Sequence, residues 1–231
     1  MSSSVILVCA ATSVEAKACA QGISRAGQSG RYEVLQTGMG LIQARQILEK
    51  RLSNPQLPQP SRVISTGFAG SWTNDLAIGY WISGQSIETQ SGQAPITLDT
   101  FPLFRNFSFP VHPARVITIE QANSKGKAHA PGALPVAVDM ESYAWAEICR
   151  VKNIPFQILR LVSDNPSAPL PEAIGSFASV ATAPTIQGKF QSLTRGLSQA
   201  FQEPKALAGF IARGTKLPGL LAQGWQEIAS Q

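Results

Sequence analysis

Charge is scarce in this chain. Of its 231 residues, 14% are Asp, Glu, Lys or Arg, against roughly 25% in an average soluble domain. The 19 Lys and Arg outnumber the 14 Asp and Glu, for a net charge of +5. A nucleic-acid-binding face needs clustered cations that displace counterions, and here the basic residues are scattered, with Lys50-Arg51 and Lys125/Lys127 the only close pairs. No nucleic-acid partner is therefore expected. Histidine is scarcer still: His112 and His129 are the only two, and no cysteine or carboxylate stands at ligand spacing beside either. That inventory predicts no metal site. Cys9, Cys19 and Cys149 are odd in number and without paired spacing, which argues against a disulfide framework and for a reducing compartment, with each thiol a small buried hydrophobe.

Long apolar runs are missing as well. Hydrophobic residues make up 44% of the chain, yet no window approaches the roughly 18 consecutive apolar residues that span a bilayer. The opening Met1-Ser2-Ser3-Ser4 has neither the basic region nor the small-residue cleavage site of a secretory signal, so the expected location is cytoplasmic. Several chemical motifs are absent too. There is no GxxxxGK[ST] loop for a nucleotide triphosphate and no GxSxG elbow for a serine hydrolase. Gly38 and Gly40 resemble part of a dinucleotide fingerprint, but Gln43 occupies the third glycine position and Ser65 the place of the acidic residue. No cofactor is expected. The pair is left as either a tight turn or a backbone approach to a ligand.

What is present alternates. Val5 to Ala10 is an apolar run with the pattern of a strand buried on both faces, followed by a helix over 14–23 that Thr12 or Ser13 can cap. Tyr32 to Thr37 reads as a strand. Leu41, Ala44, Leu48 and Leu52 mark one face of a helix over 41–52. Further strands are expected at 62–66, ending in Gly67, and at 78–83, 114–119, 135–138 and 156–162, with a helix over 140–151 and a loop with short strands over 90–112. After Pro171 the pattern is helical, with apolar residues from Leu207 to Ile228 at helical spacing across a break at Pro218. The length and the lack of a visible linker predict a single domain over 1–231, with 171–231 a helical C-terminal extension of it. The fold class is α/β, three layers around a mixed, mostly parallel sheet.

Ligands in such sheets bind at the carboxyl ends of strands, and three stretches fall there: Ala11-Thr12-Ser13-Val14-Glu15, the turns Thr37–Gly40 and Ser65–Gly70, and the pair Val138–Ser142 with Ser163-Asp164. Glu15 reads equally as a first-turn acid favoured by the helix dipole. Glu141 reads as a cap or a ligand contact. Asp164 ends an apolar strand, where a dry environment would raise its pKa, or else makes an Asx turn with Asn165-Pro166.

Taken together, Val63–Gly70 (VISTGFAG), Val138–Ser142 (VDMES) and Pro155–Asp164 (PFQILRLVSD) resemble the purine nucleoside and uridine phosphorylase superfamily, most closely its methylthioadenosine and adenosylhomocysteine nucleosidase branch. The resemblance runs from residue 5 to about 165. It implies that Asp164 is the general acid for purine N7, positioned by Ser163, and that Glu15 activates the attacking water. It further implies that Glu141 accepts from ribose hydroxyls with Met140 beneath the sugar, and that Ala69, Gly70, Phe68 and Asp139 border base and ribose. Phe68 stands where these nucleosidases usually carry serine. Phosphorylases of the superfamily hold phosphate with arginines where this chain has Glu15 and Ser65, which favours water as the nucleophile.

The expected function is thus hydrolysis of a 5′-modified adenine nucleoside by a homodimer without cofactor. A nucleoside-binding protein on the same fold is the non-catalytic alternative. Leu170-Pro171 and the Leu-rich tail are similar instead to hopanoid-associated phosphorylases, which implies tolerance of long apolar 5′ groups and raises a peripheral membrane contact. Futalosine hydrolases are another near relative.

Overall fold

The computed structural model describes residues 5–98, 107–120, 134–169 and 204–231. Within them the order is β1 (Ile6–Ala10), α1 (Ser13–Arg25), β2 (Tyr32–Gln36), α2 (Leu41–Leu52), β3 (Arg62–Ser71), β4 (Trp81–Thr89), β5 (Ile96–Thr97), β6 (Val111–Thr118), β7 (Val136–Asp139), α3 (Ser142–Val151), β8 (Phe156–Asp164) and α4 (Pro204–Ala229). The pairings β1–β2, β1–β3, β3–β8, β4–β6 and β6–β7 are parallel, whereas β3–β7, β4–β5 and β4–β8 are antiparallel. This is the mixed, mostly parallel sheet that the alternating pattern predicts. Five strands, β3, β8, β4, β6 and β7, follow one another in a closed ring, because β8 bridges β3 and β4 while β7 bridges β3 and β6.

Period-two alternation assigns the two faces. Leu7, Cys9, Val63 and Ile158 point into a core with Leu48 of α2 and Trp145 of α3. Their neighbours Val8, Ile64 and Leu159 point to the opposite core, with Cys19 of α1 and Leu221 and Trp225 of α4. All three thiols are free and buried, and burial pushes each pKa up. The indoles deep in the two cores are satisfied: Trp145 Nε1 donates to Ala44 O at 3.2 Å and Trp225 Nε1 to Thr66 Oγ1 at 2.9 Å.

Four expectations are corrected. β3 does not end at Gly67 but runs on to Ser71, with Gly67 at φ 120° inside it. The strand expected from Ile78 begins at Trp81, and the helix expected from Met140 begins at Ser142. α4 does not break at Pro218 but continues through it. Proline within a helix costs about 3 kcal/mol, and burying Leu217, Leu221, Trp225 and Ile228 on either side of it returns about 1.5–3 kcal/mol per large side chain. The apolar stripe outweighs the missing bond. The helix expected directly after Pro171 lies outside the described residues. No helix among the described residues is long and apolar enough to cross a membrane.

Candidate active site

Glu15 sits on the first turn of α1, where the sequence places a capping box. Its amide donates to Thr12 Oγ1, and Thr12 N–H and Oγ1–H donate to Glu15 Oε2 at 2.8 and 2.7 Å. The cap accounts for only one of its oxygens. Oε1 reaches across to β3 and accepts from Phe68 N–H at 2.7 Å. That approach needs Gly67: a Cβ there would lie 2.2 Å from Glu15 Oε1, and its φ of +120° is one that side-chain-bearing residues rarely adopt. Glycine at 67 and the carboxylate at 15 are therefore one feature, although 52 positions separate them in the sequence.

The Gly38–Gly40 turn serves a carboxylate as well. Both glycines have positive φ, and Gly40 N–H donates to Glu141 Oε1 at 2.9 Å. Glu141 is the residue before α3 but makes no side-chain cap. Asp139 does that work instead: its Oδ1 accepts from Glu141 N–H and Ser142 N–H, both at 3.3 Å, and from Thr118 Oγ1 at 2.8 Å. Glu141 is thus left pointing into the interior with 4% exposure.

Arg160 compensates both acids. It is 1% exposed, its Nε lies 3.0 Å from Asp139 Oδ2, and its Nη2 lies 3.6 Å from Glu141 Oε2. Nη1 donates to Phe68 O at 2.8 Å, and Nη2 to Ser65 Oγ and Ser142 Oγ at 3.1 Å each. Burial, with Asp139 alongside, outweighs the arginine and lifts the Glu141 carboxyl to about 7.

Asp164 ends β8 in a plainer setting. Burial raises its pKa above the ordinary carboxylate range, against the lowering effects of Ser163 and Arg213. Ser163 Oγ is 2.7 Å from Asp164 Oδ2 and 3.2 Å from Ala69 O. A hydroxyl has one proton. Donated to the carboxylate it stabilises the anion; turned to Ala69 O it leaves the oxygen free to accept from a protonated Asp164. The Asx turn expected of Asp164 belongs to Asn165, whose Oδ1 accepts from Ser167 and Ala168 N–H at 3.1 and 3.0 Å. Gly70 provides the room, since a Cβ there would lie 2.8 Å from Asp164 Oδ1.

These groups border one cavity of about 250 Å³, several times the roughly 30 Å³ share of a water molecule. Glu15, Glu141 and Asp164 line it with Ser163, Asp139 and Met140, and Phe68, Ala69 and Gly70 form the β3 wall. The structure thus brings every sequence-predicted site residue to one place. It adds Met39, from between the two turn glycines, Arg160, and Gly214 and Leu217 of α4. Arg160 carries a legible signal: a lone cation inside an otherwise apolar buried strand requires an anionic partner. Gly214 and Leu217 carry none, being brought there by tertiary packing. Leu221, Trp225 and Ile228 of the same helix pack in the core. No cluster of three potential metal ligands occurs among the described residues.

The fold has solved counterparts among nucleosidases. No protein-family model and no curated protein matches the chain, but solved structures do. The 5′-methylthioadenosine/S-adenosylhomocysteine nucleosidase of Neisseria meningitidis, in complex with methylthio-immucillin-A, superposes with a TM-score of 0.55 at 17% identity, over 91% of this chain and 99% of that one. The Helicobacter pylori enzyme of the same name, with butyl-thio-DADMe-immucillin-A, gives 0.58 at 14% identity over 92% and 99%. Futalosine hydrolase of H. pylori strain 26695, in a mutant form, gives 0.57 at 14% identity over 87% and 99%.

Proposed function

We propose that this chain is an N-glycosidase that hydrolyses a 5′-modified adenine nucleoside of the methylthioadenosine or adenosylhomocysteine type. The observation that carries the reading is the set of carboxyls around one cleft, each held by different partners. Asp164, its pKa raised by burial, holds a proton to higher pH than an ordinary aspartate, and delivers it to purine N7 as the base leaves. The cleft also carries Glu15, Asp139 and Glu141 against the single guanidinium of Arg160, an excess of acidic groups suited to the cation that develops on the ribose.

The same balance favours water over phosphate. Arg160 is the only cation lining the cleft among the described residues; its Nη groups already donate to Phe68, Ser65 and Ser142, and its Nε lies at ion-pair distance from Asp139. A carboxylate 4 Å from a phosphate would repel each unit of its charge by roughly 1–4 kcal/mol. A carboxylate accepts about four hydrogen bonds, and Glu15 takes three from Phe68 and Thr12, so one site is left to orient and deprotonate water. Glu141 accepts from the ribose hydroxyls, above Met140.

The test is release of free base. Incubation with methylthioadenosine, adenosylhomocysteine and futalosine, with base and sugar products separated, should yield adenine from the first two at the higher kcat/KM. Turnover of futalosine alone would move the substrate class, and turnover of none would remove the reading.

A further inference from the structure

The start of α1 holds Glu15 by one bond more than helix capping needs. A capping box consists of the Glu15 amide donating to Thr12 Oγ1, here at 3.3 Å, and the Thr12 amide donating to the glutamate. The Thr12 hydroxyl still has a proton to place. It goes to the same glutamate: Thr12 Oγ1 donates to Glu15 Oε2 at 2.7 Å, alongside Thr12 N–H at 2.8 Å. The two oxygens of Glu15 are therefore unequal. Oε2 carries two donors, whereas Oε1 carries only Phe68 N–H, at 2.7 Å. A carboxylate oxygen accepts about two hydrogen bonds, so the open site lies on Oε1, the oxygen turned to β3. Thr12 and Glu15 both line the cleft, and Glu15 is otherwise buried.

We infer that Thr12 is a positioning residue for water activation: its hydroxyl occupies Oε2, so that Oε1 alone orients and deprotonates the attacking water. This rests on the nucleosidase reading, in which Glu15 is the base. Without the hydroxyl, Oε2 gains an open site of its own. A water taken up there is displaced from the productive place by the width of the carboxylate group, and a displacement of that order is costly for a step that depends on orientation. The Thr12 amide bond survives any change of side chain, so Glu15 keeps its cap partner and loses only the distinction between its oxygens.

Three substitutions separate this role from capping. Thr12→Ser keeps both the acceptor and the proton. Thr12→Gly removes the hydroxyl at little cost to the helix, because glycine is tolerated at the cap, and Thr12→Val removes hydroxyl and cap together. Tm should follow the cap: near wild type for Ser and Gly, lower for Val. kcat should follow the proton. It is read as adenine released from methylthioadenosine by the full-length chain, well below each Tm. Thr12→Ser should stay within about twofold of wild type, while Thr12→Gly and Thr12→Val should both fall about ten- to a hundredfold with KM within about twofold. Thr12→Val is then combined with Glu15→Gln, where the hydroxyl has no base to position, and should change the remaining kcat by less than about twofold. Wild-type kcat in Thr12→Gly, or the same fold loss from Thr12→Val with and without Glu15→Gln, overturns the inference and leaves the nucleosidase reading standing. Undiminished kcat in Glu15→Gln overturns Glu15 as the base and the inference with it, and no release of adenine by wild type overturns the whole reading.

Discussion

At one end of the cleft Asp139 and Glu141 share a buried guanidinium, and their oxygens also accept from Thr118, Gly40 and the first amides of α3. At the other, Asp164 receives one hydroxyl, from Ser163, with Arg213 acting from a distance. Asp139 and Glu141 are buried and Asp164 is half-buried, so the two ends differ in partners and in their access to solvent. A densely cross-bonded carboxylate cannot change its position cheaply, and it holds its oxygens fixed toward the cleft. A carboxylate with one adjustable partner can gain and lose a proton as the hydroxyl turns. In the proposed reaction these two settings would serve the two tasks of glycosidic cleavage, stabilising positive charge and delivering a proton.

The sharpest way to break the comparison is at the adjustable end. Asp164→Asn keeps the shape and removes the proton, and should lower kcat by about 10² to 10⁴ while base affinity and Tm stay near wild type. Retention of most activity would take Asp164 out of the mechanism. At the fixed end, Arg160→Met should instead act on folding. It leaves Asp139 and Glu141 buried without their cation, which costs about 3–5 kcal/mol, measured by urea unfolding. A loss no larger than that of a surface arginine would show that the network is not what holds these acids.

These effects fall on residues of unequal visibility in the sequence. α2 is found at Leu41–Leu52, the limits that its apolar spacing predicts, because amphipathic period and turn glycines agree there. Asp164, Glu15 and Glu141 were legible through local motifs, VSD, a capping position and VDMES, each contained within a few residues. Arg160 stands two residues before VSD, yet its role depends on Asp139, Ser65 and Phe68, distant in the chain and brought to it by the pairing of β3 with β8 and β7. Gly67 was visible as a turn glycine but not as the space for Glu15. The continuity of α4 through Pro218 was hidden for a different reason: local propensity opposes it, and the burial that overrides it is tertiary.

A smaller effect sharpens the link between β3 and α1. Gly67→Ala forces an unfavourable φ and drives a methyl group against Glu15, for about 1–3 kcal/mol of strain. Displacement of Glu15 should lower kcat by more than the stability change alone explains, as read from kcat at temperatures well below Tm.

A further expected effect is in the pH dependence of stability. Glu141 titrates near its ordinary 4.5 when unfolded and at about 7 when folded. Over that interval the folded chain binds more protons than the unfolded one, so its contribution makes stability fall as pH rises from about 4.5 to about 7. The raised pKa of Asp164 acts in the same direction. Glu141→Gln should flatten the slope of Tm against pH across this range, and a slope identical to wild type would place the Glu141 proton elsewhere.

The proposed choice of water as nucleophile rests on the acidic groups that line the cleft and on the one acceptor site left on Glu15. It is measured by following the sugar released from methylthioadenosine in phosphate-free buffer and again in saturating phosphate. The account predicts the same rate in both and a free 5-methylthioribose product. A rate that depends on phosphate, with methylthioribose 1-phosphate formed in step with adenine, would contradict it.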